Sequence, residues 1–301
     1  MASKSSLLFL NDSESSYKKV IEKIEDGNFD LSSDKYPDFE IEKYIEDNIK
    51  IHNKEINYTI FNYSIQSSTS TNRINHELIV FKNGEQVGFI VEKNANSATS
   101  FLRGLLGYKK KRGTVNVQIL DSSFENDEIF FWIINRIYSD DPTLTFSTID
   151  NQKNKLVLNS IDGIQGRTQA TLNRVSTQGS NVINMLTTLA FILESNTLTE
   201  VKLISNYNEH KDISLEIHVS GKNITIGVDE SEYRGPYEDK DENELRCILL
   251  LVAYLDLIPA LIDSYKNDVD EETNEKKELV SNIVNETTDR INNLKKDYGL
   301  E

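Results

Sequence analysis

The sequence contains one cysteine, Cys247, among its 301 residues. A single thiol can form no disulfide within the chain and cannot supply the set of cysteine ligands that a structural zinc site needs. Such cysteine use is typical of proteins from a reducing compartment. The first ten residues hold one basic side chain and an apolar run of four, which is shorter than the core of a signal peptide. We therefore predict a cytoplasmic protein.

Proline and glycine are also scarce, with 4 and 13 residues in the chain. No proline-rich or glycine-rich linker therefore marks a domain boundary, and no internal repeat is visible. The clearest turn signal is the stretch Ser-Asp-Asp-Pro at 139–142. We place a boundary there, between an N-terminal region, 1–142, and a C-terminal region, 143–301.

The spacing of apolar residues predicts helices first and strands afterwards. Stretches 15–28 and 38–52 have apolar residues at helical intervals, and the interval becomes two from residue 56 onward. Two apolar runs then flank Lys-Asn-Gly-Glu at 82–85. Because Asn-Gly is favoured at the centre of a type I′ turn, this stretch predicts a hairpin with Asn83 and Gly84 in its turn.

Further along the chain, predicted strands and helices alternate. Helices are predicted at 97–108, 125–138 and 181–195, the last capped by Ser180, while a polar stretch occupies 164–180. Strands are predicted at 114–120, 198–207, 212–221 and 223–229, and a second hairpin is predicted at 143–163 with its turn at 151–154. Hairpin connections outnumber crossovers, so the prediction is an α+β fold with mainly antiparallel sheets, packed helices and a helical, acidic C-terminal region.

The longest apolar stretch is 247–262, which Asp256 and Pro259 interrupt. Sixteen residues fall short of a membrane span, so we predict a buried helix bent near Pro259 and no membrane association. The last seventy-four residues, 228–301, carry twenty acidic and nine basic side chains. Within them, helical spacing of four apolar residues predicts a packing or self-association helix, and hence a homo-oligomer or protein partner bound through 239–300. The four are Leu279, Ile283, Ile291 and Leu294.

Motifs that would identify a large enzyme class are missing from the sequence. It has no glycine-rich phosphate loop, no histidine pair at metal-binding spacing and no nucleophile elbow. Glu200 and Lys202 do form a Glu-x-Lys half-motif on a predicted strand, as in restriction-type nucleases that use Mg²⁺. The nearest upstream aspartate, Asp162, is separated from them by a predicted helix. The alternative is that both residues are ordinary strand residues facing solvent, with no metal and no cofactor.

Two windows of the chain, whose formal net charge is -16, contain basic side chains and no acidic ones. Residues 94–120 contain no acid and five basic side chains, and residues 163–193 contain no acid and two. Because screening limits electrostatic attraction to short range, local positive windows can attract an anion to an acidic protein. They predict a surface that contacts nucleic-acid phosphates, although basic residues at the end of a helix are also common as plain solvated surface. The residues are Arg103, Lys109, Lys110, Lys111, Arg112, Arg167 and Arg174.

Three hypotheses follow from the sequence. The first is a cytoplasmic protein that engages DNA or RNA through the two windows, in a bacterial antiviral-defence or regulatory setting that only the Lys-, Asn- and Ile-rich composition prompts. The second is a non-enzymatic protein that oligomerises or docks a partner through its C-terminal helices. The third is a metal-dependent nuclease that uses Glu200 and Lys202.

Overall fold

The computed structural model describes most of the chain in detail. The described residues exclude 1–3, 13–14, 33–34, 52–53, 67–71, 109–113, 118–126, 148–152, 169–173, 180–185, 222, 270–273 and 300–301. Within them the chain forms two antiparallel sheets and several helices, which confirms the predicted α+β class. The chain forms two compact units. The first comprises Met1–Leu120 and Leu215–Pro259, and the second comprises Asp121–Ser214 and Ala260–Glu301. Each unit thus combines two separate stretches of chain, whereas the predicted boundary at 142 divides the chain once.

The first sheet belongs to the first unit and has the strand order β2-β3-β4-β5-β1-β6. Helices α1, Tyr17–Glu25, and α2, Ala95–Leu105, pack on one of its faces. Burial of apolar side chains from the sheet and from both helices makes this face the core of the unit. The strands are β1, Ser6–Leu10; β2, Glu40–Ile51; β3, Lys54–Gln66; β4, Arg73–Asn83; β5, Gln86–Val91; and β6, Val115–Val117.

The second sheet has the order β12-β11-β10-β8-β7, and β9 pairs with β8. Its strands are β7, Thr143–Ser147; β8, Lys153–Thr168; β9, Arg174–Gln178; β10, Ser195–Tyr207; β11, His210–Ser220; and β12, Asn223–Asp229. The remaining helices are α3, Glu128–Tyr138; α4, Leu186–Glu194; α5, Glu242–Val252; α6, Ile258–Asp268; and α7, Glu275–Tyr298. These bounds confirm most of the predicted elements, while Ser180 and residues 118–120 lie outside the described part of the chain.

The predicted helix at 38–52 is wrong, because this stretch forms strand β2. A spacing of four places residues on one face of a strand as well as of a helix, and Ile45 and Ile49 do share a face of β2, paired with Ile60 and Ile56. Ile41 pairs with Tyr63 and lies on the other face. The stretch pairs along its whole length with β3, and an irregularity between Lys43 and Ile45 adjusts the register. Pairing with β3 therefore overrides the local helical pattern.

The β4–β5 hairpin forms as predicted, but its turn differs by one residue. Asn83 pairs with Gln86 as the last ladder position, so the two loop residues are Gly84 and Glu85. Gly84 has φ of +62°, while Asn83 and Glu85 are absent from the residues with positive φ. A glycine at the first loop position is typical of a type II′ turn rather than the expected type I′ turn.

The apolar stretch at 247–262 lies in one long helix, Glu242–Asp268, that includes a π-helical turn at Ala253–Leu257. The amide of Ile258 donates to the carbonyl of Ala253, five residues back. This wider turn precedes Pro259, whose ring would meet the Leu255 carbonyl in a regular α-helix. Among the described helices it is the one long and apolar enough to span a membrane, and 78% of its most apolar window is buried, as in a core helix of a soluble protein.

Gly88, in strand β5 of the first sheet, lies too close to a neighbouring aromatic ring to carry a side chain. It lies opposite Phe81 on one side and Phe9 on the other, and the two rings meet edge to face 6.2 Å apart. A Cβ atom at Gly88 would lie 2.1 Å from the Phe81 ring. Because a buried ring has no room to move away, we expect Gly88→Ala to lower the free energy of unfolding by about 2 kcal/mol.

Urea unfolding followed by circular dichroism measures this loss. The matched control is Gln86→Ala, an exposed substitution in the same strand that is expected to change stability by less than about 0.5 kcal/mol. Equal stability of the Gly88→Ala variant and the parent protein would show that the Phe81 ring does not constrain this position.

Candidate functional site

Residues 109–112, the densest part of the first basic window, lie outside the described residues. The residues beside them are well held within the first unit. Tyr108 is buried, its phenol donates to the Asp12 carboxylate at 2.8 Å, and the ammonium of Lys23 lies 4.5 Å above its ring. On the other side, the Thr114 carbonyl accepts from the Asn11 amide at 2.7 Å. The lysine-rich stretch therefore joins two fixed points of the fold.

Arg103 occupies the last turn of α2 and is half-buried. Its guanidinium donates to the backbone carbonyl of Val115 at 3.4 Å, which links α2 to β6. Part of its hydrogen-bonding capacity is therefore used within the fold. Of the residues predicted to contact phosphates in the first window, Arg103 is the one for which the described structure gives an internal role.

The polar part of the second basic window forms strands, which the sequence pattern did not predict. The polar stretch 164–180 contributes the end of β8 and the whole of β9, and the register places Arg167 directly opposite Arg174. Arg167 is exposed. The backbone register thus brings two residues of the predicted phosphate-contacting set to paired positions, and their contact with phosphates stays a prediction.

Glu200 and Lys202 lie on β10, next to β8. Glu200 pairs with Gln165 and Lys202 with Gly163, and Asp162 lies opposite the irregularity that follows Lys202. The fold therefore brings Asp162 onto the strand beside the half-motif, despite the intervening helix. Glu200 is 9% exposed and Lys202 is half-exposed. In the described residues, no three His, Cys, Asp or Glu side chains are grouped as a metal site, and the nuclease hypothesis stays a prediction.

A cleft of about 630 Å³ in the first unit was not predicted from the sequence. Its floor is a polar array on one face of β2, β3 and β4, and α5 forms its wall. The members are far apart in sequence, so no local pattern reveals them. Such groups can hydrogen-bond a small polar molecule. The array consists of Glu40, Glu42, Asn62, Ser64, Asn75 and Glu77, and the wall of Asn243 and Arg246.

The ion pair between Glu77 and Arg246 closes the inner end of this cleft. Arg246 donates through Nε to Glu77 at 3.2 Å and through Nη2 to the other carboxylate oxygen. Burial raises the pKa of the Glu77 carboxyl, although the charge of Arg246 acts in the opposite direction. The bidentate geometry fixes α5 to the sheet and makes this part of the cleft a rigid structural contact.

Helix α7 has two faces with different environments. Leu279 and Ile283 are buried, and three polar contacts fasten the same part of the helix to the second unit. Lys276 donates to the Ser195 carbonyl at 2.6 Å, Asn282 donates to Asn135 at 3.2 Å, and the phenol of Tyr138 donates to Glu286. Beyond this point every residue from 288 to 298 is exposed.

The exposed face of α7 carries apolar residues at regular spacing. Seven large apolar side chains are exposed among the described residues, and four of them lie on this one helix. The exposed fraction rises from 46% at Val284 to 75% at Tyr298. We call the four residues the α7 seam: Val284, Ile291, Leu294 and Tyr298.

The seam is separate from the buried stripe of the helix. At roughly 100° per residue, its centre lies about 90° around the helix axis from Leu279 and Ile283. The four residues predicted to mark a packing or self-association helix therefore divide, since Leu279 and Ile283 pack inward while Ile291 and Leu294 belong to the seam. Val284 and Tyr298 were missed, because only the structure shows which apolar residues stay uncovered.

No family model matches the chain, and no curated protein matches its sequence.

The ion pair in the cleft leads to a stability prediction. Arg246→Met leaves the buried carboxylate of Glu77 without its partner, so we expect a loss of about 3 kcal/mol in the free energy of unfolding near neutral pH. The loss is smaller at mildly acidic pH, because an acid whose pKa is raised in the folded state loses stability as pH rises above its unfolded pKa.

Urea unfolding of Arg246→Met, Glu77→Gln and the double variant at both pH values provides the measurement. The double variant removes both charges and should recover most of the lost stability. Additive losses in the double variant would show that the two side chains are not energetically coupled.

Proposed function

We propose that this protein is a non-enzymatic assembly protein that associates with a second copy of itself through the α7 seam. The observation that supports this most directly is the exposed set of four apolar residues at heptad spacing. Positions 284, 291 and 298 are seven residues apart, and 294 follows 291 by three, with Thr287 at the remaining position of the stripe. This is the pattern with which two helices pack side by side.

The charges of α7 support its pairing with an identical helix. The C-terminal region as a whole is strongly acidic, but α7 itself carries five acidic and five basic side chains. Two α7 helices therefore meet without net electrostatic repulsion. Two copies of the acidic stretch that precedes α7, residues 228–274, would repel each other. The earlier hypothesis of oligomerisation through acidic helices is thus narrowed to the one C-terminal helix whose own charge is balanced.

The helix ends also support a seam that persists in solution. The side chain of Asn274 accepts from the Lys277 amide at 2.7 Å, and Gly299 ends the helix with φ of +61°. A pair between Glu286 and Arg290, spaced by four, stabilises the exposed part. Because the seam is only two heptads long, we expect weak association that depends on protein concentration. A cytoplasmic setting, proposed from cysteine use, is compatible with this function.

The test adds charge to the seam. The double variant Ile291→Lys/Leu294→Lys places two ammonium groups where apolar side chains would meet, so we expect it to remain monomeric at concentrations where the parent protein dimerises. Light scattering after size-exclusion chromatography and sedimentation velocity measure the mass over a concentration series.

The matched control is Asn285→Lys/Asn292→Lys, which adds the same charge on exposed positions of α7 away from the seam. It should dimerise as the parent protein does. A parent protein that stays monomeric at the highest soluble concentration, or a control that loses dimers equally, would contradict the proposal.

Nucleic-acid contact is a second candidate function, and the Arg167–Arg174 register favours it. Two arginines occupy paired positions of β8 and β9, in a part of the sheet without acidic residues in either paired segment. Arginine is the residue type best suited to hydrogen-bond a phosphate. The stretch 109–112 contributes four further basic residues to the first unit. A defence or regulatory role would rest on this contact.

Binding to duplex DNA and to RNA at several salt concentrations tests the second candidate. If the basic residues contact phosphates, the logarithm of the affinity falls linearly with the logarithm of salt. Arg167→Ser/Arg174→Ser should reduce this slope by about 1 for each phosphate contact removed, and so should serine substitution of Lys109, Lys110, Lys111 and Arg112. Lys18→Ser/Lys50→Ser, at exposed positions outside both windows, is the control. Absence of binding to either nucleic acid at low salt would rule out this function.

A further inference from the structure

We infer that the two α7 helices of the dimer run antiparallel, with Ile291 of one copy opposite Leu294 of the other. This inference deepens the proposed self-association and rests on it. The occupant of the seam is a second copy of this chain, and the orientation is decided by charged residues that border the seam. The experiment below separates a wrong orientation from a failure to associate.

The seam fixes the heptad positions of its neighbours. With Ile291 and Tyr298 at position a and Leu294 at position d, the residues bordering the seam are Arg290 and Asp297 at position g, and Thr288 and Lys295 at position e. All four are exposed. They are therefore the residues that meet across the edges of a helix pair.

In an antiparallel pair, position g of one helix faces position g of the other. When Ile291 lies opposite Leu294 of the second copy, Arg290 comes next to Asp297 of that copy. The two-fold symmetry of a homodimer repeats the contact, so the pair contains two Arg290–Asp297 ion pairs. On the other edge, Lys295 faces the neutral Thr288. Every facing charge in this arrangement has an opposite or neutral partner.

A parallel pair brings like charges together. In that orientation position g faces position e five residues further along the second helix, so Arg290 of each copy meets Lys295 of the other. Two repulsive contacts result, and Asp297 has no partner within α7. Like charges at these positions oppose association, which is the means by which coiled coils exclude unwanted orientations.

The charges also select the register of the antiparallel pair. Sliding one helix by a heptad, so that Leu294 faces Val284, places Arg290 opposite Arg290 of the second copy. The proposed register instead overlaps residues 287–298 of both helices, so that Ile291, Leu294 and Tyr298 of the seam are paired and Val284 lies just outside the overlap. Thr287 is half-buried, and every side chain from 288 to 298 is exposed. The partner helix therefore meets exposed side chains along nearly all of this length.

Charge reversal tests the orientation because the two arrangements predict opposite results. In the antiparallel pair, Asp297→Arg and Arg290→Asp each replace two ion pairs by two like-charge contacts, so each should weaken dimerisation about tenfold. The double variant Arg290→Asp/Asp297→Arg should restore most of the affinity. In a parallel pair, Arg290→Asp would strengthen the dimer and Asp297→Arg would leave it unchanged. Sedimentation equilibrium measures each dissociation constant, and circular dichroism checks that α7 stays helical.

Disulfide trapping gives an independent reading of the orientation. An equimolar mixture of Thr287→Cys and Tyr298→Cys chains of different mass should form the mixed disulfide, since these positions face each other only in the antiparallel pair. Tyr298→Cys alone should form a disulfide dimer only in the parallel pair. The native Cys247 is buried and does not compete. Dimerisation without the mixed disulfide and without the charge-reversal pattern would overturn the orientation, whereas a parent protein with no dimer would overturn the proposed function itself.

Discussion

The second unit depends on the burial of α3 on all of its sides. Residues 129–134 of this helix are each at most 1% exposed, so α3 has no solvated face, which is the pattern of a central core helix. Polar groups near its C-terminal end then select its neighbours. The indole of Trp132 donates to Asp268 at 2.8 Å, Arg136 donates to the same carboxylate at 3.2 Å, and Asn135 accepts from Asn282 at 3.2 Å. The first two contacts join α3 to the end of α6, and the third joins it to α7 on the side of the buried Leu279 and Ile283, away from the seam.

The elements that the sequence predicted correctly are those in which local pattern and tertiary packing agree. Helix α1 has a buried apolar stripe and an N-cap residue, Ser16. Helix α3 has a long apolar run, which is stable only when it is buried in the core. Strand β2 was wrongly predicted as a helix because its isoleucine spacing suits both a helix and a strand. The end of β8 and the whole of β9 were missed for another reason: their polar sequence has no alternation, and only pairing between β8 and its neighbours makes them strands.

The candidate sites depend even more on tertiary packing, which the local sequence pattern does not reveal. Spacing located Ile291 and Leu294, because helical periodicity is a local property of the sequence. It could not distinguish them from Leu279 and Ile283, since the difference lies in whether α3 and its surroundings cover them. The polar cleft was beyond reach altogether, because Glu77 and Arg246 are separated by 169 positions in the chain. Long-range contacts of this kind leave no trace in one sequence.

Net charge links the two candidate functions through opposite responses to salt. Each copy carries a formal charge of -16, so approach of two copies is opposed by a repulsion that added salt screens. Exposed ion pairs at the border of the seam are worth only a few tenths of a kcal/mol each, and the apolar contacts at its centre do not weaken with salt. Association through α7 should therefore hold or strengthen as ionic strength rises. Contact with phosphates must weaken under the same change, because it releases counterions. Ionic strength thus separates a protein that assembles through α7 from one that is brought together by a shared nucleic acid.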